Sequence, residues 1–339
     1  MSGSMMSGSM MSGSNLAIDH ADVVEAARRL DGHAVRTPLL ENALLNERVG
    51  GRVLLKPEVL QRSGSFKFRG AFNRLAQLTE EERRGGVVAW SSGNHAQGVA
   101  AAAAILGLRA AIVMPSDAPA LKIANTRGYG ADVVLYDRWT EDREEIARGI
   151  AAERGSATVP PFDDPRIMAG QGTVGLEIVE QAQAMGAVPD DVIAPCSGGG
   201  LVSGIATAVK HAFPDARVWS AEPAGFDDVA RSLVRGERVG NEAGQASICD
   251  ALLTPMPGAL TFPVMKETLA GGLAVTDAEV QAAMAYAFTV LKLVVEPGGA
   301  AALAAVLSGK LPARGRTVAV VLSGGNVDPG TFVDALKAG

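Results

Sequence analysis

Cysteine is nearly absent from these 339 residues: Cys196 and Cys249 are the only two, they lie far apart, and no CxxC spacing joins them. Neither a disulfide framework nor a zinc site is therefore expected, and the usage fits a reducing cytoplasm. Histidine is scarce as well. His20, His33, His95 and His211 compose no HExxH-like set, which argues against a catalytic metal held by imidazole. Long apolar runs are missing; the alanine-rich stretch from Gly98 to Leu106 is too short to span a bilayer. Basic clusters are missing too, since the net charge is -6 with Lys and Arg spread along the sequence. That excludes an electrostatic footprint for nucleic acid and a polybasic membrane anchor, and it leaves small molecules as the expected partners.

What is present suffices for a real core. Apolar residues make up 47% of a chain long enough for two domains or lobes. Residues 1–15, which open as a near-repeat of Met, Ser and Gly, are expected to be a disordered tail rather than a signal peptide. A short helix is expected over Val23–Leu30 and an extended segment over Arg36–Leu40. Strands at Val53–Lys56, Val87–Trp90, Ala110–Met114, Asp132–Tyr136, Asp191–Ala194, Val218–Ala221 and Thr317–Leu322 then alternate with helices. The helices are expected at Ala96–Leu106, Ala120–Arg127, Glu141–Arg154, Gly172–Met185, Leu201–Phe213 and Asp277–Leu291. This alternation predicts an α/β fold with twisted, mostly parallel sheets covered on both faces. Pro160–Pro165, rich in turn formers, reads as a lobe boundary, and Pro255–Pro263 as irregular. No extension long enough for a further regulatory domain is expected.

One lysine stands out. In Ser63-Gly64-Ser65-Phe66-Lys67-Phe68-Arg69-Gly70, Lys67 follows a Gly/Ser turn, lies between two phenylalanines and opens a helical pattern in which Phe68, Ala71, Phe72 and Leu75 recur. An inward amine loses hydration, its pKa falls, and it becomes a nucleophile toward carbonyls. Three strands also end in Ser/Gly turns: Ser91–Asn94, Ser197–Gly200 and Ser323–Asn326. Ligands of open α/β sheets sit at the carboxyl ends of strands, so three such turns are placed to line one crevice. Ser197–Gly200 suits a phosphate at a helix start, although singly it also reads as a tight turn; it is neither GxGxxG nor a lysine-bearing P-loop. Ser91–His95 offers hydroxyls and N–H groups to a carboxylate, or a capped helix. An inward lysine, a phosphate cup, a carboxylate cup and a neutral hydroxyl are together what pyridoxal phosphate needs to hold an amino acid.

Ser65-Phe66-Lys67-Phe68-Arg69-Gly70, Ser91–His95, Gly170-Gln171-Gly172-Thr173, Ser197–Gly200 and Ser323-Gly324-Gly325-Asn326 follow one another in the order seen in fold-type II pyridoxal phosphate enzymes. The chain resembles their serine/threonine dehydratase and serine racemase family from about Leu16 onward. The resemblance implies a tryptophan synthase β-like, two-lobed fold with residues 16–83 and 164–339 as a large cofactor domain, residues 84–163 as a small mobile domain, and a homodimer. It implies that Lys67 forms the Schiff base with pyridoxal 5'-phosphate and is the base at Cα, and that Phe66 packs on the ring. Asn94 would bond the ring hydroxyl, Ser197, Gly198, Gly199 and Gly200 the phosphate, and Ser323 the pyridine nitrogen, with Glu296 the acidic position near the cofactor. Ser91, Ser92, Gly93 and His95 would take the substrate carboxylate, with Ser92 the acid/base on the second face. The implied activity is β-elimination of a small β-hydroxy amino acid, threonine or serine, to a 2-oxo acid and ammonia.

Alternatives stay open at this point. Arg143 lies where racemase-like members carry an arginine able to meet a second carboxylate, which favours 3-hydroxyaspartate; an exposed arginine paired with Glu141 or Glu144 is the plainer reading. Racemisation of serine or aspartate needs the same parts. Glu222, Asp228 and the carbonyl of Phe226 resemble the divalent-cation site of the racemase branch, an oxygen set for Mg²⁺ or Ca²⁺. A β-replacing transferase of the cysteine synthase kind fits the Lys67 sequence less well, and a catalytically dead binder would have lost Lys67 or Asn94. Two departures are visible: Ser197 replaces the usual first glycine of the phosphate loop, and Asp250-Ala251-Leu252 replaces Asp-Gly-Leu.

Overall fold

Short β-branched runs bounded by glycine and proline form the strands. The computed structural model describes residues 16–91, 93–118 and 120–338, so the tail expected over residues 1–15 lies outside the described residues. The strands are β1 Leu40–Glu41, β2 Arg52–Pro57, β3 Val87–Trp90, β4 Ala110–Pro115, β5 Asp132–Tyr136, β6 Ala157–Thr158, β7 Asp191–Pro195, β8 Arg217–Pro223, β9 Leu269–Val275 and β10 Thr317–Leu322. They form a six-stranded sheet in the order β1-β2-β10-β7-β8-β9 and a four-stranded sheet in the order β5-β4-β3-β6. Among these strands only β1 is antiparallel to its neighbour. Parallel strands must be covered on both faces. Accordingly β4 and β7 are buried throughout, and separate apolar clusters lie on the two sides of each sheet.

The four-stranded sheet is drawn from residues 87–158 and the six-stranded sheet from the segments on either side. Between them runs the helix Lys67–Leu75, packed against the helices Asn94–Leu106 and Pro165–Ala184. Phe68, Ala71, Phe72 and Leu75, the set whose spacing predicts the helix, are buried, and so are Arg69, Gly70 and Asn73.

Several elements depart from expectation for local reasons. The helix expected from Gly172 begins at Pro165, because Asp164 accepts from the N–H groups of Arg166 and Ile167 and proline occupies the first turn. The helix expected from Glu141 begins at Arg143, capped by Asp142. Within the stretch expected to be irregular, a helix starts at Thr261. The helix from Asp277 is α-helical to Tyr286 and closes in a π turn, Ala287–Leu291, ended by Lys292 at φ +61°. Strand β9 and the helices Pro297–Leu307 and Pro329–Ala338 are not anticipated. Pro297–Leu307 is buried on nearly every side, so it carries no polar face to set a helical period. No helix of the described residues is long and apolar enough to cross a membrane.

Candidate active site

The site is built by turns that hold one another. Ser63 at φ +58° and Gly64 at φ +71° reverse the chain just ahead of Lys67. A Cβ on Gly64 would press on the Asn326 side chain, and one on Gly98 would lie 3.0 Å from the carbonyl carbon of Lys67, so both glycines permit close approach. The turn after β10 locks onto the lysine turn. Phe66 N donates to Ser323 O (3.1 Å), Gly325 N donates to Gly64 O (2.9 Å), and Ser65 bridges to Gly324. On the other side Glu296 N donates to Gly324 O (3.0 Å), and the Asn94 amide donates to the Glu296 carboxylate (2.5 Å) while accepting from Asn326 Nδ2 (2.8 Å).

The phosphate-loop candidate closes the ring. Ser197–Gly200 leads from β7 into the helix Gly200–Ala212, with Gly199 at φ +98° and no side-chain cap. The carbonyl of Gly198 accepts from Gly258 N (3.1 Å) and from Thr261 Oγ1 (2.5 Å), which turns the peptide N–H edge the other way. A Cβ on Gly198 would strike Phe162, one on Gly200 would lie 3.0 Å from it, and one on Gly199 would strike Met265 and Thr261. The carbonyl next door, Pro161 O, accepts the Lys67 ammonium at 2.7 Å. Thus Lys67, Ser323, Asn94 and Glu296 are linked by hydrogen bonds between their turns, and Pro161-Phe162 connects Lys67 to Ser197–Gly200. Pro161, Phe162 and Asn326 were not singled out as site residues; Pro160–Pro165 carried only a turn signal because a backbone carbonyl leaves no trace in side-chain pattern.

Electrostatics separate the roles available to these groups. Burial pushes the Lys67 amine down to about 8, partly opposed by the nearby Glu296 carboxylate. The amine lies 5.2 Å from the centroid of the Phe66 ring, so the ring forms one wall beside it. Glu296 is pushed up to about 7 by burial, with Asp250 adding to the rise and Asn94 opposing it. His95, buried and 2.9 Å from Val159 O through Nε2, is held near 3 by burial and is neutral. It therefore carries no charge with which a carboxylate could pair. The helix Asn94–Leu106 has Gly93 as its first flanking residue and no side-chain cap there, and Ser91 Oγ accepts from Gly93 N at 3.2 Å. Ser92 lies outside the described residues.

Two further expectations meet the structure differently. Arg143 is exposed at the first turn of the helix Arg143–Arg154, and neither Glu141 nor Glu144 pairs with it; Glu144 pairs with Arg148 instead. The Ser197 hydroxyl is engaged by Thr254. At the acidic pair, each Glu222 oxygen accepts one backbone N–H, from Val229 and Ala230, while Asp228 Oδ2 is buried with no partner. Burial together with Asp228 raises Glu222 well above the carboxylate range, and burial takes Asp228 to about 6. An orphaned carboxylate oxygen beside a second buried carboxylate suits a hard cation. Among the described residues no group of three or more His, Cys, Asp or Glu side chains is arranged to hold a metal ion.

The residues suit pyridoxal phosphate. A glycine cup with no room for a Cβ, an uncapped helix start behind it, and a buried amine close to neutrality match a phosphate at one end and an aldehyde at the other. Comparison with known proteins agrees. The profile of the family described as pyridoxal-phosphate dependent enzyme matches residues 30–324. The chain is 44% identical to an L-threo-3-hydroxyaspartate ammonia-lyase of Pseudomonas sp, over 93% of this chain and 98% of that protein. It is 39% identical to a serine racemase of Schizosaccharomyces pombe, over 91% of this chain and 94% of that one. The crystal structure of a T.th. threonine deaminase superposes with a TM-score of 0.87 at 46% identity, covering 92% of this chain and 99% of that one.

Proposed function

The chain belongs to the pyridoxal-phosphate dependent enzymes, and from that premise we propose that it is an ammonia-lyase that eliminates water from a small β-hydroxy amino acid such as threonine or serine. The products are a 2-oxo acid and ammonia. One observation carries the reading: the Lys67 amine, brought near 8 by burial, sits among the three Ser/Gly turns. A second reading, 3-hydroxyaspartate as substrate, is supported by the identity to the Pseudomonas sp enzyme. Serine or aspartate racemisation is the third, with a racemase at 39% identity.

When bound, the cofactor supplies an electron sink for the pair left at Cα. The chain supplies the rest. The N–H groups of Ser197–Gly200 hold the phosphate, with the positive end of the helix Gly200–Ala212 behind them. Asn94 faces the ring hydroxyl, its amide orientation set by Glu296 and Asn326. Phe66 would wall the ring, and Ser323 would offer a neutral hydroxyl to the pyridine nitrogen, which would hold less positive charge there than a carboxylate does. Ser91, Ser92, Gly93 and His95 orient the substrate carboxylate. Lys67 would take the proton from Cα, for which an amine near 8 is suited, and pass it to the departing β-hydroxyl so that water leaves; the enamine released is then hydrolysed by a water to the 2-oxo acid and ammonia. Proton return by Ser92 on the opposite face is the racemase branch of the same site.

The test is a panel of L- and D-serine, L-threonine and threo- and erythro-3-hydroxyaspartate, scored for 2-oxo acid and for inversion. Lys67→Ala is expected to abolish product from every substrate while leaving the fold. If inversion appears without 2-oxo acid, the lyase reading is wrong. Activity confined to hydroxyaspartate and lost in Arg143→Ala selects the second reading. At Glu222, Asp228 and the Phe226 carbonyl we place a divalent cation, with this outcome expected: Mg²⁺ or Ca²⁺ raises the melting temperature, and Asp228→Asn removes the rise. A rise that persists in Asp228→Asn locates the cation elsewhere.

A further inference from the structure

Ser197 stands where the family resemblance expects glycine, and its hydroxyl is already in use. Ser197 Oγ donates to Thr254 Oγ1 at 2.6 Å, and Thr254 N donates back to Ser197 Oγ at 3.2 Å. The chain of bonds continues. Thr254 O accepts from Asn241 Nδ2 at 3.0 Å, and the same Nδ2 donates to Asp228 Oδ1 at 2.7 Å. The Asn241 amide has one available orientation here, because its Oδ1 accepts from Arg231 Nη2 at 2.6 Å and its backbone N–H donates to Pro255 O at 2.8 Å. Asp228 is buried and its second oxygen has no partner.

We infer that Ser197, Thr254 and Asn241 form a positioning chain that holds the phosphate loop in register and ties it to Asp228. This rests on the reading of Ser197–Gly200 as the phosphate loop. The Ser197 hydroxyl is satisfied by Thr254 alone, through Oγ1 and through the backbone N–H, so Ser197 acts through the loop rather than on the ligand. The physical need is specific to the loop. Gly198, Gly199 and Gly200 leave its backbone free to sample many conformations, and Gly199 already lies at φ +98°. Bonds from Thr261 and Gly258 fix the carbonyl of Gly198; the Thr254 pair fixes the residue before it. Two successive anchors leave the N–H groups pre-aimed, which lowers the ordering cost of binding.

The experiment measures binding of pyridoxal phosphate and of pyridoxal, which lacks the phosphate, to cofactor-free full-length protein. Ser197→Ala and Thr254→Val are each expected to weaken pyridoxal phosphate about tenfold, the net worth of a lost buried hydrogen bond, with pyridoxal unchanged. The double variant is expected to be no weaker than either single one, because both remove the same pair. Thr254→Ser keeps the hydroxyl and should restore binding; Asn241→Leu should weaken it. Unchanged affinity in Thr254→Val, with the preference for pyridoxal phosphate over pyridoxal intact in the parent, overturns the positioning chain and leaves the loop assignment standing. A melting temperature that falls in Thr254→Val while the preference stays constant overturns it as well, since that is a purely structural role. A parent that binds both compounds equally removes the loop assignment, and this inference with it. Asn241→Leu without effect ends the chain at Thr254 and refutes the tie to Asp228.

Discussion

Lys67 and Glu296 are both buried and feel each other's charge, and burial drives them in opposite directions, Lys67 down to about 8 and Glu296 up to about 7. The consequence for stability follows from proton counting. Between 4.5 and about 7 the folded chain holds a proton on Glu296 that the unfolded chain has lost, so this group's contribution falls as pH rises through that window. Between about 8 and 10.5 the unfolded chain holds a proton on Lys67 that the folded chain lacks, so the contribution of Lys67 rises with pH there. Melting curves of cofactor-free Glu296→Gln should therefore lose the downward trend on the acid side and keep the upward one on the alkaline side. Removing the carboxylate also removes what holds the Lys67 pKa up. The pH midpoint for uptake of pyridoxal phosphate by Glu296→Gln is expected below that of the parent; an upward move would contradict the assignment of that contact.

At the scale of elements, the helix Lys67–Leu75 is aimed by a buried ionic network. Arg69, two residues past the lysine, makes a two-bond pair with Glu58 (2.8 and 2.8 Å) and another with Glu177 (2.7 and 2.9 Å), and Lys56 joins Glu177 at 2.6 Å. The two carboxylates hold the Arg69 guanidinium charged despite burial. Such an arrangement is costly to break from one side. Arg69→Met strands the buried Glu58 carboxylate and leaves Glu177 to Lys56 alone, and is expected to cost roughly 3–5 kcal/mol in urea unfolding, whereas Arg69→Lys keeps the charge, loses the planar fork and should cost less. Equal losses for the two would mean that charge, and not geometry, sets the helix. Arg69 was legible only as part of the motif around Lys67; its partners come from residues 58 and 177, and no local spacing joins them. The same limit applies to Pro297–Leu307 and β9, one buried all round and the other half-buried with two glycines, neither carrying a clean period.

Across the whole molecule, the two sheets meet along the site. Asn94 reaches from the helix after β3 to Glu296 and Asn326, and Lys122 reaches from the helix after β4 to Asp250 at 2.6 Å. We propose that residues 84–163 move as a small domain over the site, with these bonds, the bond from Lys67 to Pro161 O and the packing of the helix Asn94–Leu106 on Lys67–Leu75 among its contacts to the rest. Hydrogen exchange within residues 84–163 is expected to slow when a non-reactive substrate analogue binds the holoenzyme, with the six-stranded sheet unchanged; uniform slowing across both sheets would falsify the division. The Lys122–Asp250 pair is not what holds the halves together, since the Asp250 side chain is 58% exposed and such pairs contribute about 0–1 kcal/mol. Lys122→Ala should accordingly leave urea unfolding within about 1 kcal/mol of the parent.

By itself the sequence determined the class of fold, the positions of most strands and helices, and the group of motifs around Lys67, because hydrophobic period, turn chemistry and short motifs are properties of neighbouring residues. Only the tertiary structure decided which carbonyl receives the Lys67 amine, which side chains orient Asn94, and where the Ser197 hydroxyl is spent. Those partners lie at Pro161, Asn326, Glu296 and Thr254, tens to hundreds of residues from the groups they hold. Hydrogen bonds over such separations depend on how two sheets and their turns are brought together, and nothing in the spacing along the chain encodes them.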